Sequence, residues 1–179
     1  MSLPALRGLA AATALALLSA CAGLPPPPEA AAGLVEGRLS VRVDGQPASA
    51  LAAGFSLRGT AERGSLQLTG PLGTTLGLAT WEPGRALLRS GGTDTRHADL
   101  DALGRAALGE DLPMAALFHW LRGQPWPGAP SQARGDGRPG FQQLGWQVDL
   151  ARWADGSLEA VRLAPPVVTV RARVETPAP

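Results

Sequence analysis

Arg38-Leu39-Ser40-Val41-Arg42-Val43 alternates polar and apolar residues without a break. A period of two puts every second side chain on one face, so the stretch predicts a strand buried on one side and wet on the other. Asp44-Gly45-Gln46-Pro47 follows with turn chemistry. Alternation resumes over 53–58 through Phe55 and Leu57, and Gly64 ends it. Further strands are expected at 65–69, 75–81, 86–89 and 95–98, separated by turns such as Glu82-Pro83-Gly84-Arg85 and Gly91-Gly92. Strands this closely spaced, joined by Gly and Pro turns, argue for an antiparallel meander and against a parallel α/β sheet.

Two helices are expected next. Asp99 can cap Leu100–Leu108, whose Leu100, Leu103, Ala107 and Leu108 fall at helical spacing, with Gly109 just past the end. Pro113 suits the first turn of a helix over Met114–Arg122, closed by Gly123, with Leu117, Trp120 and Leu121 on one face. Residues 125–140 read as loop. Strands return at 141–144, 146–153, 158–163 and 167–174, and the tail 176–179 is expected to fray. The whole is a mainly β chain of about nine or ten strands with a few helices inserted late. A sheet with one apolar face must close on itself or be covered, and the helices are the available cover. Periodicity leaves open whether they enclose a filled core or an apolar cavity.

Composition narrows the function. The 179 residues suit one domain, two at most. Ala (32) and Leu (28) make up a third of the chain, while Lys, Asn, Ile and Tyr are absent, so all sixteen basic residues are Arg. A net charge of +1 offers no surplus for phosphate contacts, which argues against a nucleic-acid partner. One cysteine excludes an internal disulfide framework, and two histidines, His97 and His119, are too few for a histidine-based metal cluster. No Gly-x-Ser-x-Gly elbow, His-Glu-x-x-His pair or phosphate-cradling glycine loop occurs. No enzyme, metal or cofactor is therefore expected. A lipid hydrolase in particular lacks a nucleophile beside a base. Asp99, Asp101, Glu110 and Asp111 stand at helix starts, where carboxylates favour the dipole.

The amino terminus has the three parts of an export signal. Arg7 supplies the charge. Gly8–Leu18 is an apolar run too short to cross a bilayer core of about 30 Å. Leu18-Ser19-Ala20-Cys21 resembles the bacterial lipobox. That resemblance implies a signal peptide over 1–20 and a lipidated Cys21. Ala22, where Asp would favour inner-membrane retention, implies the outer membrane. More than one acyl chain on the cysteine makes for stable anchoring. Pro25-Pro26-Pro27-Pro28 favours a stiff extended helix of about 3.1 Å per residue, so 21–36 is expected to be a tether and 37–175 the folded domain.

One turn is unusual. In Thr69-Gly70-Pro71-Leu72-Gly73-Thr74, Pro71 suits the second position of a β-turn and Gly73 the fourth, which leaves Leu72 at the tip. A leucine there either folds back onto the sheet or projects as a small apolar probe.

The order and spacing of several short pieces resemble the LolB family of outer-membrane lipoprotein receptors. The pieces are Gly37-Arg38-Leu39-Ser40-Val41, the Phe55 strand, Pro71-Leu72-Gly73-Thr74-Thr75, Leu112-Pro113-Met114, Leu117 with Trp120-Leu121-Arg122-Gly123, and Gly145-Trp146-Gln147-Val148. The lipobox joins them. The chain departs from the family in a proline-rich lead-in, in Leu57 where an aromatic is common, and in having no tyrosine.

The resemblance implies an open, incomplete antiparallel barrel of the LolA/LolB kind, with helices plugging an apolar cavity. It implies transport without catalysis. The periplasmic carrier LolA hands over acylated lipoprotein cargo, and the receptor, lipid-anchored in the outer membrane and facing the periplasm, inserts it into the inner leaflet. Pro71, Leu72 and Gly73 correspond to the family's membrane-insertion loop, and a monomer is expected. Given such a cavity, the expected lining is Leu39, Val41, Phe55, Leu57, Leu66, Leu68, Leu117, Trp120, Leu121, Trp146 and Val148, with plain core packing as the alternative for each. Burial is worth about 0.8 kcal/mol per CH₂, so one long chain in water costs on the order of 10 kcal/mol and cannot cross unescorted. The periplasm has no ATP, so direction must come from a rising order of affinity. The competing reading is a lipocalin-like binder of a small apolar ligand, or a structural lipoprotein, which has no use for an apolar tip.

Overall fold

The computed structural model describes residues 33–46, 50–108 and 111–175. The expected signal peptide, Cys21 and the four prolines lie outside them, and the folded domain begins before the expected residue 37, because Val35 is already buried in the first strand. Eleven strands occur among the described residues: β1 Val35–Val43, β2 Leu51–Gly59, β3 Gly64–Thr69, β4 Thr75–Glu82, β5 Arg85–Ser90, β6 Thr93–His97, β7 Ser131–Ala133, β8 Gly140–Gln143, β9 Trp146–Asp149, β10 Ser157–Arg162 and β11 Val168–Val174. Helices α1 (Leu100–Leu108) and α2 (Met114–Trp120) fall between β6 and β7, and a 3₁₀ turn covers Trp153–Asp155.

The strands form one sheet in the order β6-β5-β4-β3-β2-β1-β11-β10-β9-β8-β7. All pairings are antiparallel. Two meanders thus meet where β1 pairs with β11, with Gly37 opposite Val174 and Val43 opposite Val168. The outermost strands, β6 and β7, are not paired to each other, so the barrel is open. Along β1 and β11 the alternation is kept to the end: Val35, Val41, Val43, Val168, Val170, Ala172 and Val174 are buried, while Arg38, Arg42, Arg171 and Arg173 face outward. Both helices lie on the apolar face, where Leu100, Leu103, Met114, Ala116, Phe118 and Trp120 join the core.

The first helix follows its expected start. The Ala102 N–H donates to Asp99 Oδ1 at 2.7 Å, which satisfies an amide that has no partner within the helix. The second helix is shorter than expected, ending at Trp120. The Arg122 N–H already bonds His119 O in a tighter turn, and Gly123, at φ 71°, donates to Trp120 O and turns the chain. The expected strand 146–153 stops at Asp149, because Asp149 Oδ1 accepts the Ala151 N–H at 2.8 Å and bends the chain out of the ladder. The span 125–140 is not all loop. It contains β7, whose three residues are all exposed, so no burial pattern betrayed it. That strand brings the number to eleven, against the nine or ten expected.

Candidate acyl-chain cavity and insertion loop

The space beneath the helices divides in two. Under α2 and strands β8 and β9 it is solid. Trp120, 1% exposed, is ringed by Phe141 (centroids 6.4 Å apart) and Trp146 (5.8 Å). Phe118 meets Trp81 edge-on at 4.9 Å. Buried Gln143 ties this half together. Its Oε1 accepts from Trp120 Nε1 and from the Trp126 N–H, both at 2.9 Å, and its Nε2 donates to Trp126 O (2.7 Å) and Ala129 O (2.8 Å). Every polar atom of the amide is satisfied, as a buried polar group requires. Arg162 lies over the Trp146 ring at 5.8 Å.

Under α1 the space is hollow. A cavity of about 70 Å³ lies between α1, one side of α2 and the inner faces of β1 to β5, with Val170 of β11 at its edge. Its lining is wholly apolar, and it is built from large residues facing small ones. Leu39, Leu51, Leu66, Leu68 and Leu88 stand opposite Gly104 and Ala107, while Gly77 and Ala79 leave gaps in the sheet wall. Those five leucines are only half-buried although they lie on the core-facing side. An unfilled apolar space forfeits contacts that packing would supply, so it is costly to keep without use.

The eleven residues expected to line a cavity therefore separate. Leu39, Val41, Leu66, Leu68, Leu117 and Leu121 border the hollow. Phe55, Leu57, Trp120, Trp146 and Val148 are buried in packed core away from it. Sequence reasoning missed the wall supplied by α1, through Leu103, Gly104 and Ala107. The small Gly104 beside the buried Leu103 was the available signal, since glycine inside a helix costs up to about 1 kcal/mol and tends to have a packing reason. A Cβ at Gly104 would stand 2.8 Å from Met114 Cγ.

Helix α1 is lightly held. Only Leu100 and Leu103 of its described side chains are buried, against four residues of the shorter α2. Asp101 Oδ1 accepts the Met114 N–H at 3.1 Å, and Arg105 pairs with exposed Asp111. By contrast Arg122 is clamped, donating to Phe118 O (2.8 Å), Gly33 O (3.3 Å) and Gly59 O (3.4 Å), and burial pulls its pKa down. Burial also lowers that of His119. On the rim hairpin β7–β8, buried Arg134 forks onto Asp136 and reaches Asp149 at 2.6 Å. Its hydrogen bonds hold the Asp136 pKa down at about 2. Among the described residues no group of three or more His, Cys, Asp and Glu could hold a metal ion.

The turn between β3 and β4 has the geometry its residues dictate. The Gly73 N–H donates to Gly70 O at 3.0 Å, which closes the turn, and the Gly70 N–H donates to Thr74 O at 2.8 Å. Gly73 takes φ 77°, open to glycine at no steric cost, and the ladder leading into the turn shifts register between Leu68 and Thr69. Leu72, between Pro71 and Gly73, is left 92% exposed at the tip. It does not fold back onto the sheet.

A profile of the family described as outer membrane lipoprotein LolB matches residues 34–174, which is nearly all of the described structure. The chain belongs to the LolB family. The outer-membrane lipoprotein LolB of Bordetella petrii is 36% identical over 162 residues, covering 83% of this chain and 80% of that one. That of Ralstonia nicotianae is 35% identical over 167 residues, covering 84% and 79%. That of Chromobacterium violaceum is 34% identical over 121 residues, covering 68% and 64%. LolB proteins are lipid-anchored in the outer membrane, and this chain shares that localisation and their role of receiving lipoproteins and inserting them. The family is a lipoprotein localisation factor.

Proposed function

We propose that this LolB protein takes acylated lipoproteins from the soluble carrier LolA into the hollow under α1, and that Leu72 delivers them to the bilayer. The observation that carries this is an exposed leucine at the tip of a hydrogen-bonded turn in a molecule that also keeps a wholly apolar hollow. At about 70 Å³ the hollow is half the size of an engineered cavity of about 150 Å³ that holds one benzene. A long acyl chain enters only if α1 lifts from the sheet, and its few buried anchors make that the least costly opening. The half-buried leucines then offer apolar, non-directional contact, strong enough to take a chain and weak enough to release it. Cys21, lipidated, and the proline-rich stretch between it and β1 hold the domain near the membrane, and the protein acts as a monomer. No step is catalytic. An apolar tip favours this function over a closed small-ligand binder.

The sheet, both helices and the core lie within residues 33–175, so a chain starting at Ala22 keeps the folding unit. Carrier loaded with labelled lipoprotein is mixed with that chain and the two are separated. Label should move to this chain without ATP, and Leu72→Glu should accept cargo but fail to pass it to liposomes. Retention of label on the carrier would refute the acceptor role, and normal delivery by the variant would refute the role of the tip.

A further inference from the structure

The outward face of the sheet carries a second feature beside the same loop. An open trough of about 910 Å³ runs across β3, β2, β1, β11 and β10, and Gly70, Pro71 and Gly73 form part of its wall. Its floor is made of small residues, among them Ser40, Ala52 and Gly54. Arg38 and Arg173 stand over it, directly opposite each other in the β1–β11 register and both exposed. Like charges at directly opposed positions destabilise a sheet. Other arginines around the trough have acid partners: Arg171 pairs with Glu159, Arg138 lies 3.5 Å from Asp149, and Arg152 lies 3.6 Å from Asp155. Arg38 and Arg173 form no ion pair or side-chain hydrogen bond among the described residues. The acids two residues away on the same strands, Glu36 and Glu175, pair with neither, and Glu175 lines the trough at its end away from the loop.

We propose that Arg38 and Arg173 bind the anionic headgroup of a phospholipid at the bilayer surface. The inference rests on Leu72 entering the membrane. Thr69, Gly54, Arg38 and Arg173 are in register on four neighbouring strands. At about 4.8 Å per strand, Arg38 lies roughly 10 Å and Arg173 roughly 14 Å from the residue that leads into the turn. An apolar element settles about 5–10 Å into the headgroup boundary, so a tip at that depth brings the trough to the level of the phosphates. There a phosphate with two flanking guanidiniums resolves the repulsion, and the planar fork of Arg suits it. An acidic protein segment is disfavoured because the trough shares its wall with the tip that seeks lipid.

The test is co-sedimentation of the chain from Ala22 with two kinds of vesicle, phosphatidylethanolamine alone and phosphatidylethanolamine with roughly one-third phosphatidylglycerol. The doubly substituted Arg38→Gln, Arg173→Gln chain should bind the anionic vesicles about ten- to thirty-fold more weakly than the parent, at about five-fold per arginine. Binding to neutral vesicles should not change, and the difference should vanish near 1 M salt, where the Debye length is about 3 Å. Arg58→Gln, the same charge change on β2 far from the loop, should leave both affinities intact. Equal binding of anionic vesicles by the double variant and the parent overturns the headgroup site. If that variant instead fails only in accepting cargo from the carrier, the trough holds protein and the proposal is again overturned. Leu72→Glu serves as the separate arm. It should lose binding to both vesicle types while keeping a preference for anionic lipid, and undiminished binding would sink the membrane role of the tip on which this inference rests.

Discussion

The two halves of the interior are built from similar apolar residues and are packed in opposite ways. Under α2, aromatic rings fill the space and Gln143 locks the neighbouring loop to Trp120. Under α1, leucines face glycine and alanine across a gap. Rings on a scaffold with satisfied hydrogen bonds give one rigid arrangement. Leucines facing small residues give a surface that can part and refill. Stability is therefore expected to be concentrated in the packed half, which leaves the hollow half free to open. Working parts are drawn from the low-stability end of a fold as a rule.

Four substitutions would break or sharpen this contrast. The largest effect is expected at Trp120. Trp120→Ala should cost about 3–5 kcal/mol in urea unfolding, whereas Leu68→Ala, at a half-buried site on the hollow, should cost only about 1–2 kcal/mol. Equal costs would mean that the two halves are held alike. Next is Ala79→Leu, which adds three carbons to the wall between Leu66 and Leu88. It should lower cargo uptake about tenfold by displacing two or so methylenes of the acyl chain, with a change in stability under about 1.5 kcal/mol. Uptake at the parent level would place the chains elsewhere.

The smallest effect concerns the rim. Asp136 is held at about 2, below its ordinary 3.8, chiefly by the hydrogen bonds from Arg134. Between those values the unfolded chain binds a proton that the folded chain does not, so stability falls as pH drops through this window. Melting temperature followed from pH 5 downward should drop less steeply for Asp136→Asn than for the parent between about pH 4 and pH 2. Parallel curves would show that the pair does not couple to folding.

Much of this was legible along the chain because strands and turns are local. The alternation of 38–43, the Gly and Pro breaks, the Asp99 cap and the turn chemistry of Gly70–Gly73 each depend on a few neighbouring residues, and each appears in the structure close to where it was expected. Family membership was legible for the same reason, through short pieces in a set order. β7 was not, since its three exposed residues become a strand only by pairing with β8. Nor was Gln143 as a hub, because its partners at Trp120, Trp126 and Ala129 are brought together only by the fold.

Periodicity by itself determined that Leu39, Leu66, Leu68, Trp120, Trp146 and Val148 turn inward. Only the tertiary structure decided which of them face a neighbour and which face a gap. An inward side chain is a property of one strand or helix, but a cavity is a property of the space between two elements and of the residue standing opposite. The tip shows the same division. Sequence chemistry placed Leu72 at the third position of a turn, and the pairing of β3 with β4 left no surface within its reach, so that it stands in solvent.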